Sequence, residues 1–386
     1  MDKRKVALFS TNFLENSQSF VYEEILNHKK YHIDVFSKSR KNEKRFPYEY
    51  VHAHFPAENV SEFISGCIYN CFTYSKKFSD IIKSRNYSVI HAQFGPGSIY
   101  ALYYARKFNI PLVITYGGYD VPVLMTKRRF NPRYWRYTLF SKMMLNTASL
   151  FLPVSKDLAD KLVQLGASAD KVKVFHRGIV IPENLKEKKR DMNDPLKVIM
   201  IGRFVEKKGF EYGIKAVAES VKEGKNVVMI IIGDGPLKES YQSLIKDLSM
   251  EKQITIQGNM PQKDVFEKME ECDVVMVPSV VAKNGDTEGI TNVLKEGCAR
   301  GLVALITDHG GNPEIVEDGI TGFIVPERDV QSIKEKLIQL YDDPEMTAKM
   351  GKAAKLKMKN ELDIKKTNEI LESHYDEVVS KYKTLK

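Results

Sequence analysis

The sequence predicts an α/β protein of two domains, each built on a parallel sheet wrapped by helices. Three observations lead there. Short β-branched or apolar runs alternate with longer segments of helical period, as when strands are buried on both faces. The chain, at 386 residues, exceeds the roughly 250 to 300 residues at which a single core stops growing. Near its middle the strand and helix cycle stops at a polar stretch and then restarts.

In the first half the predicted strands are KVALFS (5–10), HIDVFS (32–37), YVHAHF (50–55), SVIHA (88–92), LVITY (112–116), LFLPV (150–154) and VKVFH (172–176), with helices in the gaps. The stretch PENLKEKKRDMNDP (182–195) is charged, lacks apolar periodicity and has a proline at each end, so it reads as a linker. The second half runs LKVIMIG (196–202), VVMIIIG (227–233), ITIQG (254–258), VVMVPS (274–279), LVALIT (302–307) and GFIV (322–325), a second Rossmann-like unit. From about residue 362 the tail has helical spacing and few breakers. The expected organisation is a first domain over 1–185, a second over 195–361, and a C-terminal helix over 362–386 that packs back toward the first domain. Open parallel sheets bind ligands beyond the carboxyl ends of their strands, so a cleft between the two domains is the expected site.

Composition is globular, with 43% hydrophobic and 28% charged residues. Four cysteines are too few and too scattered for a disulfide framework, and buried thiols are expected, including Cys67 and Cys71 one helical turn apart. His52 and His54 alternate as two metal ligands could, but nothing nearby completes a site, and no metal is expected. No apolar run reaches the ~18 to 20 residues that span a bilayer, and the basic tip at the start feeds a strand without a signal core, which predicts a cytoplasmic protein. Residues 1–190 hold 31 Lys and Arg against 16 Asp and Glu, a balance of +15, while the rest hold 28 against 34, a balance of −6. A basic first domain suits a polyanion or an anionic membrane surface. Nucleic acid is not the expected partner, because zinc-finger spacing and RNP-like aromatic strands are missing.

Chemistry-bearing residues follow the strands of the second half. After the strand ending at Gly202 come Arg203, then Lys207 and Lys208 just before a glycine that begins a helix. Two cations beside a helix N-terminus suit a diphosphate, although solvated loop lysines would read the same way. In GDTEGITNVLKEG (285–297), Glu288 is placed at a helix start and Glu296 about two turns on, near one face. Such carboxylates accept hydrogen bonds from sugar and ribose hydroxyls; the helix dipole alone would also account for Glu288. Gly289 lets backbone N–H groups approach a ligand closely.

The segment from Ser279 to Asp329, centred on NGDTEGITNVLKEGCARGLVALITDHGGNPEIVEDGITGFIVPERD, resembles the donor domain of family 4 retaining glycosyltransferases of the GT-B fold, in particular the exopolysaccharide or colanic-acid branch. The family's R-x4-K matches Arg203 and Lys208, its E-x7-E matches Glu288 and Glu296, and its Gly-x-Gly-Pro turn matches GDGP (233–236). Looser likenesses run through the first domain in SQSFVYEEI (17–25), HAQFGPGS (91–98) and TYGGYDV (115–121). The resemblance implies two Rossmann-like domains facing across a cleft and transfer of a hexose from a nucleotide-diphosphate sugar, UDP-linked in preference to GDP-linked. It implies that Glu288 meets the donor sugar, Glu296 the ribose, and Arg203 and Lys208 the diphosphate. Gly202, Gly235 and Gly258 fall in donor-binding turns, Met260 faces the nucleobase, and Gly289, Ile290, Thr291 and Asn292 line the sugar phosphate. On the acceptor side it places Ser19, His91, Gly117, Tyr119 and Asp120. Many relatives have a histidine where this chain has Gly117, so an imidazole is missing there; Tyr116, Tyr119 or His91 could line that side, and His91 reads equally well as a core residue. In front-face retaining transfer the departing phosphate can itself take the acceptor's proton. No D-x-D motif occurs in the cleft segments, so neither a cofactor nor a metal is expected, and cations with helix N-termini must meet the diphosphate charge.

Residues 121–144 interleave Lys127, Arg128, Arg129, Arg133, Arg136 and Lys142 with Phe130, Tyr134, Trp135, Tyr137 and Phe140. Such a stretch suits the inner face of a cell membrane and a glycan or undecaprenyl-diphosphate-linked acceptor, though an amphipathic helix on its own sheet would share the pattern. Two other functions stay open at this point, a nucleotide-sugar epimerase of the same fold and a non-catalytic donor-binding partner.

Overall fold

The chain divides into two units, one of residues up to Val180 together with those from Ile364, the other Ile181–Asp363. The computed structural model describes residues 3–15, 18–185 and 187–384. Ser17 of the SQSFVYEEI motif, Lys186 of the linker, and residues 1, 2, 385 and 386 lie outside the described residues.

In the first unit β1 (Arg4–Phe13), β2 (Tyr31–Arg40), β3 (Val51–Phe55), β4 (Val89–Gln93), β5 (Leu112–Tyr116) and β6 (Leu150–Pro153) form one sheet in the order β3-β2-β1-β4-β5-β6. Every pairing is parallel. Strands β4 and β5 are buried along their whole length, which is why they read as unbroken apolar runs. VKVFH, expected as a seventh strand, is a correction. Lys173 and Phe175 donate to the carbonyls of Phe151 and Pro153, but Pro153 has no N–H to return, so only an isolated bridge between Phe151 and Val172 forms.

The second unit repeats the architecture with β7 (Leu196–Ile201), β8 (Val227–Ile232), β9 (Ile254–Gln257), β10 (Val274–Val277), β11 (Val303–Thr307) and β12 (Gly322–Val325), in the order β12-β11-β10-β7-β8-β9. In each sheet the winding direction reverses once, between β1 and β4 and between β7 and β10. The loops leaving the carboxyl ends of those neighbours diverge and open a crevice, the usual ligand position in such sheets.

Part of the linker is tied down. Lys188 donates to the carbonyls of Glu270 (2.7 Å) and Cys272, and Arg190 donates to those of Leu340 and Tyr341 (2.9 and 2.6 Å), so both side chains anchor on the second unit. Cys67 and Cys71 also depart from expectation. Both are exposed, whereas Cys272 and Cys298 are buried, because the helix Val60–Phe72 buries only Gly66 and Tyr69.

The last helix, Ile364–Thr384, completes the first unit. It places Leu371, Tyr375 and Val378 against Val6, Leu8, Val89 and Val113 of the sheet. Glu372 on the same helix accepts from the backbone N–H groups of Lys29 (2.8 Å) and Lys30 (2.9 Å). Leu371 is fully buried, so Leu371→Ala is expected to destabilise this unit by about 2 to 5 kcal/mol through lost transfer and a cavity. Urea unfolding measures it, and a loss below about 1 kcal/mol would show that the helix is not part of this core.

Candidate functional site

At the switch point of the second sheet, the loop after β7 turns through one 3-10 turn, Glu206–Lys208, into the helix Phe210–Lys222. Gly209 joins them at φ 62°, and a Cβ there would stand 1.9 Å from the Pro278 carbonyl oxygen in the loop after β10. Only glycine permits that approach. Val280 then donates its N–H to the Lys207 carbonyl at 2.9 Å, so the two loops are joined main chain to main chain.

The joined loops bring their charged side chains together. Glu288 Oε1 lies 3.2 Å from both Lys207 Nζ and Lys208 Nζ. Lys207 also stands 3.4 Å from Asp286 Oδ1 and donates to the Thr287 carbonyl at 3.0 Å. It therefore braces the loop, while Lys208 has the single carboxylate partner. Burial pushes the Glu288 carboxyl up, but the ammonium groups of Lys208 and Lys207 outweigh it and hold the acid below its ordinary range. Arg203 is exposed, and its guanidinium makes no hydrogen bond or ion pair among the described residues.

The expectation that Glu288 begins a helix needs correction, because the helix spans Asn292–Ala299 and Glu288 lies in the loop before it. Three hydrogen bonds hold residues 288–291 away from helical geometry. Glu288 N–H donates to His309 Nε2 (3.0 Å), Thr291 N–H to Asn312 Oδ1 (2.9 Å), and Gly311 N–H to the Gly289 carbonyl (3.1 Å). Glu296 sits on the helix, where burial raises its pKa despite Arg300 and Lys295. No hydrogen bond or ion pair joins its carboxylate to Glu288 or the lysines among the described residues.

Around this loop several buried polar atoms have no partner among the described residues: Ser279 Oγ, Thr287 Oγ1, Thr291 Oγ1 and Asn312 Nδ2. Each such group costs about 1 to 3 kcal/mol if left unsatisfied, a cost that ordered water or a polar ligand at this loop would remove. Gly202 and Gly235 take φ 155° and 154°, and a Cβ on Gly235 would meet the Phe204 backbone at 2.7 Å. Gly258 is open, Met260 is half-buried in the coil after β9, Gly289 is buried, and Ile290 and Asn292 are half-buried. Sequence reasoning missed His309, Asn312 and Glu327. Asp-His-Gly-Gly-Asn immediately after a strand was the available signal, since adjacent glycines there imply a close backbone approach. A Cβ on Gly310 would indeed lie 2.4 Å from the Glu288 carbonyl oxygen.

On the first unit the expected acceptor-side residues separate. His91 needs correction, since it is 1% exposed and its Nδ1 and Nε2 each lie 2.6 Å from a hydroxyl, Tyr375 and Thr115 respectively. Burial, with Arg177 and His28 nearby, holds its pKa far below the ordinary value, so the ring is a neutral core group. Asp120 is likewise buried and accepts from the N–H groups of Gly95 (3.0 Å), Gly117 (3.3 Å) and Gly118 (3.1 Å). It shapes the turn. Tyr119 is half-buried with its ring centroid 6.0 Å from that of Phe94, and Ser19 opens the helix Ser19–Leu26. A Cβ at Gly117 would lie 2.5 Å from Phe94 Cε1. The Phe94 ring fills the space a larger residue would need, which accounts for glycine at this position.

Comparison with known proteins matches residues 25–181 to the family described as "Glycosyltransferase Family 4" and residues 182–357 to that described as "Glycosyl transferases group 1". The two matches together run from residue 25 to 357, so most of the chain consists of glycosyltransferase-family domains. This glycosyltransferase is 32% identical over 215 residues to an amylovoran biosynthesis glycosyltransferase of Erwinia amylovora, covering 55% of this chain and 53% of the relative. It is 28% identical to a putative colanic acid biosynthesis glycosyltransferase of Salmonella typhimurium, covering 65% of this chain and 61% of the relative. The matches thus span only about half to three fifths of those relatives' lengths. Among solved structures, Anabaena HepE in complex with UDP superimposes with a TM-score of 0.74 at 17% identity, over 97% of this chain and 100% of HepE. HepE in complex with UDP-glucose gives 0.73 at 18% identity, over 98% and 99%. These likenesses show that the glycosyltransferase has the GT-B fold.

The glycosyltransferase also exposes apolar surface on its first unit. The helix Val60–Phe72 leaves Val60, Phe63, Ile64, Ile68 and Phe72 between 44% and 75% exposed. Residues 121–144, which could have been one amphipathic helix, break into 3-10 turns at Lys127–Phe130 and Pro132–Tyr134 before the helix Trp135–Thr147, where Asn131 caps and Pro132 restarts the chain. Phe130, Trp135 and Leu139 there are 55% to 73% exposed. The ring of Tyr100 lies 5.0 Å from that of Tyr69 on the Val60–Phe72 helix. Among the described residues no helix is long and apolar enough to cross a membrane, and no group of three or more His, Cys, Asp or Glu could hold a metal.

The lowered pKa of Glu288 can be measured. Its folded pKa lies below the unfolded value, so its pairing with the lysines contributes stability above the ordinary carboxylate range and loses it as pH falls through the lowered value. In a carbon-13 NMR acid titration, the glutamate carboxyl resonance that disappears in Glu288→Gln should titrate below those of exposed glutamates. Titration alongside them would show that the lysines do not hold it.

Proposed function

We propose that this protein is a family 4 glycosyltransferase that moves a hexose, with retention, from a nucleotide-diphosphate sugar to a glycan acceptor in cell-surface polysaccharide synthesis. The observation that carries the reading is Glu288 between Lys207 and Lys208, at a sheet switch point and among buried polar atoms without partners. A ligand that brings both phosphate charge and many hydroxyls suits that combination. UDP is the favoured carrier and GDP the alternative; HepE, of the same fold, was crystallised with UDP and with UDP-glucose. In this reading Arg203, exposed and unpaired, and Lys208 meet the leaving diphosphate, helped by the N-termini of the helices at Phe210 and Asn292. No metal or other cofactor takes part. Glu288 orients the donor sugar, and Glu296 the ribose. With glycine at 117, a diphosphate oxygen receives the acceptor's proton as the new glycosidic bond forms and the old one breaks.

Arg203→Ala and Lys208→Ala should each lower turnover at least ~100-fold with folding retained, since removing one such donor costs about 3 to 4 kcal/mol. The assay, run with saturating donor in excess EDTA, should show undiminished wild-type turnover. Near-wild-type rates in both variants would sink the diphosphate assignment, and a requirement for Mg²⁺ or Mn²⁺ would sink the metal-free one.

The acceptor in this reading is lipid-linked, of the undecaprenyl-diphosphate type, and the first unit docks on the inner face of the membrane. Exposed Phe63, Ile64 and Phe72 on one helix, and Phe130, Trp135 and Leu139 in the segment that also carries Lys127, Arg128, Arg129, Arg133 and Lys142, provide apolar and basic surface. Each basic group near an anionic surface contributes about 1 kcal/mol, an attraction that salt screens. Replacing Lys127, Arg128 and Arg129 by Glu should weaken co-sedimentation with anionic vesicles at low salt and leave UDP binding unchanged. Equal co-sedimentation of variant and wild type would favour an acceptor free in solution.

A further inference from the structure

We propose that Glu327 and His309 are positioning residues that clamp the loop carrying Glu288. One Glu327 oxygen lies 2.5 Å from His309 Nδ1, and the other accepts the N–H of Val281 at 2.9 Å and a guanidinium N–H of Arg328 at 3.1 Å. His309 Nε2 accepts the N–H of Glu288 at 3.0 Å. A backbone N–H can only donate, so Nε2 carries no proton, the proton is on Nδ1, and Nδ1 donates to the Glu327 carboxylate. The loop from Val281 to Glu288 is thus gripped at both ends by one carboxylate, directly at Val281 and through a neutral imidazole of fixed tautomer at Glu288.

Between those ends the loop carries short-range bonds, Ala282 N–H to the Asp286 carbonyl (3.0 Å) and Gly285 N–H to that of Ala282 (2.8 Å), and is braced by Glu206, which accepts from Lys283 N–H (3.1 Å), and by Lys207 at the Thr287 carbonyl (3.0 Å); no regular secondary structure spans 278–291. His309, by contrast, is 2% exposed and seated directly after β11. The pair therefore transfers the rigidity of the sheet to a loop whose Glu288 must stand between two lysines, as a carboxylate orients a metal-binding histidine elsewhere.

The test separates the two bonds of the imidazole. Glutamine at 309 can place an amide oxygen near the position of Nε2 and keep the acceptor for Glu288 N–H. Asparagine can keep a donor near Nδ1 for Glu327 but leaves Glu288 N–H unpaired. Amide hydrogen exchange of a peptide covering 284–291 should rise only about two- to threefold in His309→Gln, which loses the Glu327 bond, and at least about tenfold in His309→Asn. UDP affinity should follow, staying within about threefold in His309→Gln and falling about tenfold in His309→Asn. Equal exchange in the two variants would overturn the clamp, as would fast exchange in His309→Asn with unchanged UDP affinity. The UDP measurement rests on the donor-site reading above. If the wild type itself failed to bind UDP, that reading would fall, and the exchange comparison would still decide the clamp.

Discussion

The reversal of winding between β7 and β10 is the constraint from which the rest of the second unit follows. Two adjacent parallel strands send their chains off to opposite sides of the sheet, so a crevice opens between the loops at their carboxyl ends. The loops that border this space must approach each other without a β-ladder, and they do so through Gly209 against Pro278 and Gly310 against Glu288. Charges drawn into such a crevice are costly unless paired. Pairing one carboxylate with two ammonium groups, and one ammonium with a further acid and a carbonyl, keeps the cluster near electrical balance without a ligand. Arg203, exposed after β7, makes no ion pair among the described residues.

The first unit obeys the same winding rule and uses it for other chemistry. Its reversal lies between β1 and β4, and the residues there are largely committed to internal structure. The Asp120 carboxylate is consumed by three backbone N–H groups, and the His91 ring by two hydroxyls. Phe94, at φ 65° where non-glycine residues are strained, turns its ring over Gly117. The edge that results is lined by aromatic rings and shaped by a buried acid. Equivalent positions in two similar sheets thus acquire different characters, because different side chains fill the same topological gap.

Much of this was legible in the sequence. Strands buried on both faces announce themselves as apolar runs, and twelve of the thirteen expected runs became strands; the exception, VKVFH, failed because its would-be partner includes Pro153, a property of the neighbour and not of the run itself. Arg203 and Lys208 could be singled out because they stand between a buried strand and a helix start, and Glu288 because a second carboxylate, Glu296, follows it eight residues on. The exposed face of the Val60–Phe72 helix was not legible, since an apolar helix reads the same whether or not another element covers it.

Local chemistry, then, determined the α/β alternation, the restart of the fold after the linker, and which segments carry charge at strand ends, because period and residue type act over a few neighbours. Contacts between residues far apart in the chain were decided only in three dimensions. Tertiary structure placed Glu288 in a loop instead of a helix, because His309 and Asn312, 21 residues on, outbid the helical hydrogen bonds. It sank His91 into the core, because Tyr375, 284 residues away, returns on the last helix to satisfy it. The physical reason is the same in both cases: a polar group goes where its partner is, and the sequence does not state which partner the fold will deliver.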